Sequence, residues 1–396
     1  MGLGHALSRA HLVIRPRALA RRAAAVGRPL LPLGLLVATV VAPGWWRVVA
    51  AAGLVVLWAL VYLRYRARGL EQTRRERALL AATDWAAFDR YYKAGDATIQ
   101  EAFEVWGAYH QHRHEMRYDL VGDAVRRYLP SSGGRVLDVG CGGGLVAERI
   151  KDRAAGYVGI DIPTRSLLVA AAERSPDEAL HTAWASASGD GLPFAADSFD
   201  VVVFSEVIEH LLQPELTVWE ISRVLRPGGV LVMTTNNASE VPERSPLTHL
   251  FAWLEKALGA TRPRLISRRP WVWPTPIDPE FATPGAPPTY LAHTHHIFGE
   301  TEALFAAAGL ATVRWSTFEF PPPQAVTSAR LERWGRAGRR IVDVIEATAR
   351  RLPLVRRLGC HLMIVSRKVG PPVAPTPPAG VWPGPFSQES PVEAPR

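Results

Sequence analysis

Apolar positions cluster first near the N-terminus, in two runs, 29–46 (PLLPLGLLVATVVAPGWW) and 48–63 (VVAAAGLVVLWALVYL), separated by Arg47. Each is short beside the roughly 17–25 apolar residues of a spanning helix. Pro43-Gly44 punctuates the pair, and Trp45-Trp46 suits an interface. Arg9, Arg15, Arg17, Arg21, Arg22 and Arg28 precede the runs, and Arg64, Arg66, Arg68, Arg74, Arg75 and Arg77 follow. The pattern predicts a basic leader over 1–28 and a transmembrane helical hairpin over 29–66. By the positive-inside rule both ends, and the catalytic domain with them, lie on the cytoplasmic side of a membrane. A single tilted helix built mainly from 46–63 is the other arrangement. A cleaved signal peptide does not fit, because the charged leader is too long and the apolar part is double.

Residues 67–130 read as a helical, amphipathic linker or cap. His110, His112 and His114 alternate there and would not share one helix face, which argues against a metal cluster. From 135 to 236 the period changes. Short β-rich runs at 135–141, 157–162, 181–186, 199–206 and 230–236 alternate with helical runs at 145–154, 166–174 and 214–225. Such alternation implies a parallel sheet with helices on both faces, the doubly wound α/β class. The organisation is then a core over 131–237, a Pro- and Trp-rich insertion or lid over 238–298, and a C-terminal part over 299–369. In the last part Thr301 is expected to cap a helix, and 310–320 and 360–369 read as strands. Between those strands, 328–357 is helical, with nine arginines and three acids. The tail, 370–396, is Pro-rich with little to bury and reads as disordered.

Composition adds two limits. The net charge of +9 admits nucleic acid, an anionic membrane or acidic ligands as partners, so the placement of the arginines matters more than their number. Two cysteines, Cys141 and Cys360, make neither a disulfide framework nor a CxxC metal motif.

The chemistry begins at Asp138-Val139-Gly140-Cys141-Gly142-Gly143-Gly144, an acid in a strand followed by a glycine bend. Nicotinamide and flavin enzymes also place a glycine bend after a strand. Here the spacing is GxGxG, not GxGxxG, and the acid precedes it. S-adenosylmethionine has no pyrophosphate for a helix N-terminus, but it has an ammonium that a strand-end carboxylate balances. Asp161, 21 residues after Gly140, ends the second strand, where a carboxylate accepts hydrogen bonds from both ribose hydroxyls.

VLDVGCGGG, GIDI, LPFAADSFDVVVFSEVIEHL and ISRVLRPGGVLVMTT together resemble the seven-stranded, class I S-adenosylmethionine-dependent methyltransferases, of the type 11/12 kind. The resemblance covers 115–236 and, more weakly, 298–369. It implies a mostly parallel seven-stranded sheet ending in an antiparallel hairpin, with the arginine-rich stretch inserted into that hairpin. It implies S-adenosyl-L-methionine as cofactor, with Asp138, Gly140 and Gly142 along its methionine part, Asp161 on the ribose and the loop Leu192-Pro193-Phe194 beside the adenine. Relatives carry an aspartate four residues before that leucine; this chain has Ser188 there and Asp190 two residues later, which makes Asp190 the adenine candidate.

Ser205-Glu206-Val207-Ile208-Glu209-His210 resembles the E-x-x-E-H pattern of the ubiquinone-pathway O-methyltransferases and of small-RNA 2′-hydroxyl methyltransferases. His296-Ile297-Phe298 resembles the H-x-F setting of the latter. Glu206, Glu209, His210 and His296 are therefore candidate ligands for a divalent ion such as Mg2+ that would acidify a hydroxyl. The same pattern also occurs where it only stabilises the loop, and both readings stay open. Without metal, His210 and His296 are the candidate bases. The expected function is methyl transfer to the oxygen of a small-molecule or lipid-linked hydrophobic acceptor. The membrane partners are the hairpin and the arginine-rich helix; the hairpin argues against nucleic acid. RNA 2′-O-methylation with a divalent metal, and a non-catalytic cofactor-binding module tethered to the membrane, are the alternatives. Nothing in the sequence sets the oligomeric state.

Overall fold

The computed structural model describes residues 43–81, 108–162, 180–238, 294–320, 324–352 and 355–373, save 212 and 358, with a few isolated positions between them. The expected leader, the first apolar run up to residue 42, most of the helical run 166–174, nearly all of the 238–298 insertion and the tail from 374 lie outside these residues. The chain divides into two compact units, Met1–Leu63 with Glu243–Ile266, and Arg64–Pro242 with Ser267–Arg396.

In the second unit, seven strands form one sheet: β1 (Arg135–Val139), β2 (Gly156–Asp161), β3 (His181–Ser186), β4 (Phe199–Ser205), β5 (Leu225–Asn236), β6 (Leu310–Phe318) and β7 (His361–Lys368), in the order β3-β2-β1-β4-β5-β7-β6. β1 to β5 run parallel to one another; β7 is antiparallel to both β5 and β6. Order reverses between β1 and β4, which opens a crevice at the carboxyl ends of these strands. Strands covered on both faces are near-continuously apolar, as Val201-Val202-Val203-Phe204 in β4 shows.

Leu137 and Val139 face one side with Phe204, Ile221 and Phe305; Val136 faces the other with Val121, Val125, Ile150 and Phe318. Helices α4 (Pro214–Val224) and α5 (Phe298–Ala307) thus cover one face, and α2 (Ala108–Tyr128) and α3 (Leu145–Ile150) cover the other. Pro214 opens α4, where its missing N–H costs no helical bond. The ladder between β4 and β5 passes from Phe199↔Leu225 to Val201↔Val230, so Pro227-Gly228-Gly229 bulges from an otherwise continuous strand. α6 (Gln324–Arg351) lies between β6 and β7, as the resemblance implied, and kinks at Gly335 (φ 49°).

Two expectations need correction. The transmembrane hairpin is not supported: among the described residues no helix is long and apolar enough to cross a membrane. The second apolar run does not end as a hairpin arm. It opens one 36-residue helix, α1 (Trp46–Ala81), whose second half carries Arg64, Arg66, Arg68, Arg74, Arg75 and Arg77. Apolar runs mark where a helix is apolar, not where it stops, and nothing between Leu63 and Ala81 breaks it. The membrane placement drawn from that hairpin loses its support with it. Thr301, expected as a cap, sits inside the first turn of α5 and donates its hydroxyl to Ile297 O (3.1 Å).

Candidate cofactor and acceptor site

The glycine bend lies at the carboxyl end of β1, next to the switch in strand order. Gly140 and Cys141 donate their N–H groups to Ile160 O (2.8 and 3.0 Å), which stitches the bend to β2. Gly140 has φ 73°, and a Cβ there would lie 2.3 Å from Val207 Cγ2. Gly144 (φ 71°) is closed in the same way by Trp184. Gly142 (φ 49°) differs: a Cβ there would meet nothing within 4 Å. Its backbone therefore borders open space between two glycines that are packed shut.

Asp161 is brought to this bend. Its Oδ2 accepts from Gly142 N (2.7 Å) and its Oδ1 from Ile162 N (2.7 Å). Burial raises its pKa, against those two hydrogen bonds. Asp138 is only 2% exposed and accepts from the Tyr157 hydroxyl (2.6 Å). Burial pushes its carboxyl up to about 7, with Tyr157 opposing. Asp138 is thus anchored within the sheet.

Leu192 is buried, and Asp190 is half-buried two residues before it. The Leu192–Phe194 loop is gripped by two side chains of α4. Glu220 Oε2 accepts from Leu192 N (2.7 Å). Arg223 donates to Leu192 O (3.0 Å) and Phe194 O (2.8 Å) and is itself paired with Glu220 (2.6 Å). Sequence reading missed this clamp, although the E-x-x-R spacing in one helix turn was visible.

Beyond β4 the predicted acidic residues separate. Glu206, at φ 58°, lies 3.1 Å from His361 Nε2 and 3.7 Å from Arg117. His361 Nδ1 lies 3.1 Å from Glu319, which also pairs with Arg113. Burial would pull the His361 imidazole down, but the two carboxylates push it up to about 10. Burial likewise opposes ionisation of Glu206, yet His361 and Arg117 bring it down to about 2. This buried charge cluster joins the ends of β4 and β6, the start of β7 and one face of α2. None of His361, Glu319, Arg113 or Arg117 was singled out from the sequence, because residues so far apart in the chain leave no local spacing signal.

Glu209 turns elsewhere. It is 1% exposed, accepts from the Thr235 hydroxyl (2.9 Å), and burial followed by the nearby Glu206 raises its pKa. Its carbonyl takes the N–H of Thr294 (2.8 Å). His296 donates its N–H to Asn236 O (3.1 Å) and its carbonyl accepts from Ala238 N (2.8 Å); among the described residues its buried Nε2 has no hydrogen-bond partner. Burial, then Arg77 and His295, lower its pKa to about 3. His210 ends a single 3-10 turn, Ile208–His210, and is half-buried. Among the described residues no three His, Cys, Asp or Glu side chains form a group that would hold a metal ion. Glu206 is engaged by cations and Glu209 by Thr235, so the four candidates do not fit a divalent ion as placed.

Known proteins resemble this chain mainly across the β1–β5 core. Residues 137–233 match a family described as methyltransferase domain. The ubiquinone biosynthesis O-methyltransferase of Agrobacterium fabrum is 33% identical over 116 residues, 29% of this chain and 46% of that protein. The mitochondrial ubiquinone biosynthesis O-methyltransferase of Mus musculus is 36% identical over 115 residues, 28% of this chain and 31% of that protein. The chain thus spans less than half the length of these curated relatives. A solved S-adenosylmethionine dependent methyltransferase from Mesorhizobium loti aligns with a TM-score of 0.38 and 21% identity, covering 62% of this chain and 96% of that one.

Proposed function

Residues 137–233 are a methyltransferase domain of the S-adenosylmethionine-dependent class, and from that premise we propose that the protein methylates the oxygen of a small hydrophobic or lipid-linked acceptor. The observation that carries the reading is the open backbone at Gly142, held by Asp161 from the neighbouring strand. The names of the matching relatives, O-methyltransferases of ubiquinone biosynthesis, support oxygen over nitrogen.

When bound, S-adenosylmethionine supplies a methyl group on a positively charged sulfur. Gly142 would let its methionine part approach the backbone, while Gly140, closed by Val207, shapes the bend beside it. Asp161 takes the ribose hydroxyls, and Leu192, fixed by the Glu220–Arg223 clamp, borders the adenine beside Asp190. Asp138 supports the bend from within the sheet.

The protein's remaining task is alignment and removal of the acceptor proton. We assign that proton to His210, the less buried of the two candidate imidazoles; the site of His296 disfavours a charged ring. The test is incubation with S-adenosylmethionine and a panel of phenolic and catecholic acceptors, read by mass spectrometry. Products heavier by one methylene at a hydroxyl, with His210→Ala lowering kcat and leaving cofactor affinity intact, support the reading. Methylation confined to nitrogen, or none on any hydroxyl, overturns it.

A further inference from the structure

The outward face of α6 carries a pattern that neither the fold nor the methyl-transfer reading uses. Its inward stripe is Val342, Glu346 and Ala349, all buried. Glu346 fixes this orientation by accepting the N–H groups of Glu319 and Phe320 (3.1 Å each). At roughly 100° per residue, the opposite stripe is centred on Val344, with Arg336, Arg340 and Arg351 on one flank and Ile345 and Leu352 on the other. Val344 is 64% exposed, Leu352 48% and Ile345 37%. The arginines of this face are exposed, and so are Arg356 and Arg357 in the turn that follows. The acid beside them, Asp343, is paired with His112 of α2 (3.0 Å).

A face built only for water has no reason to centre on an exposed valine. A face built for a nucleic-acid backbone needs the arginines but not the branched apolar side chains between them. Adjacent apolar and arginine stripes on one helix match the boundary of an anionic bilayer, where apolar side chains enter the acyl region and long basic ones reach the phosphates. We propose that α6 docks the protein flat on an anionic lipid surface, with Val344, Ile345 and Leu352 inserted and Arg336, Arg340 and Arg351 on the headgroups. This docking needs no spanning helix, and it stands whether or not the acceptor is the one proposed above.

The test is sedimentation of the full chain with phosphatidylcholine vesicles, with and without phosphatidylglycerol, beside two variants that keep the inward stripe. One is Arg336→Glu/Arg340→Glu/Arg351→Glu and the other Val344→Ser/Leu352→Ser; thermal melts report whether each is folded. We expect binding to require phosphatidylglycerol, to weaken with salt, and to fall about tenfold or more in the charge variant. The serine variant is expected to lose binding while keeping the charge. Equal binding to neutral vesicles, retention of binding by both variants, or a preference for a short RNA over the vesicles would each overturn the proposal.

Discussion

His361 Nε2 lies 3.1 Å from Glu206 Oε2, which ties the first residue of the last strand to the residue that follows β4. The pair is surrounded by Arg113, Arg117 and Glu319, so removing its cation leaves two buried carboxylates with only Arg113 and Arg117 to offset them. His361→Gln is expected to cost about 3–5 kcal/mol in urea-induced unfolding. The loss has a pH signature. An imidazole whose pKa rises on folding stabilises the fold fully below its unfolded value of about 6.5, and that contribution fades as pH climbs to about 10. Glu206 is displaced the other way, so its share is present above about 4.3 and lost on descent toward about 2. The gap in stability between wild type and His361→Gln should therefore narrow steadily above neutrality. A gap that widens from pH 7 to 10 would contradict the pairing.

Arg223 holds three partners at once, Glu220 and the carbonyls of Leu192 and Phe194. Lysine cannot reproduce that fork. Arg223→Lys is expected to lower stability by about 1–2 kcal/mol. It should weaken S-adenosylmethionine binding by about three- to tenfold, because the loop beside the adenine loses its fixed position. Calorimetric titration and thermal melts check the two effects separately, and an unchanged affinity would detach the loop from the cofactor.

Gly140 answers to packing. Gly140→Ala combines a φ of 73° with a Cβ that would fall 2.3 Å from Val207. A loss of about 3 kcal/mol or more is expected, visible as a lower melting temperature before any ligand is added. A variant that melts like the wild type would mean that Val207 does not lie against the bend.

Much of this was legible in the sequence, and the division is physical. Parallel strands covered on both faces announce themselves as apolar runs such as Val201-Val202-Val203-Phe204, and the bend announces itself through its closely spaced glycines. The count of seven strands and the antiparallel hairpin followed from the resemblance, not from periodicity. What stayed hidden depends on chain closure. Arg113, Glu206, Glu319 and His361 meet only after three strands and a helix have packed; Arg113, Glu319 and His361 each alone read as ordinary charged residues, and Glu206 reads as a candidate metal ligand. The end of α1 was hidden for another reason. Its apolar half stops at Leu63, but the arginines that follow are good helix formers, so the backbone continues to Ala81. Glu209 looked like a ligand and instead holds Thr235, a bond across 26 residues that spacing does not reveal.

The most direct test of the account is a calorimetric titration of S-adenosylmethionine into the wild type and Gly142→Ala, side by side. Open space at Gly142 means that an added methyl meets only the ligand, so the unliganded variant should lose no more than about 1–2 kcal/mol from its backbone conformation. The account predicts one-to-one binding by the wild type and affinity at least about tenfold weaker in the variant, or about 1.4 kcal/mol. No binding by the wild type, or equal binding by both, would contradict it.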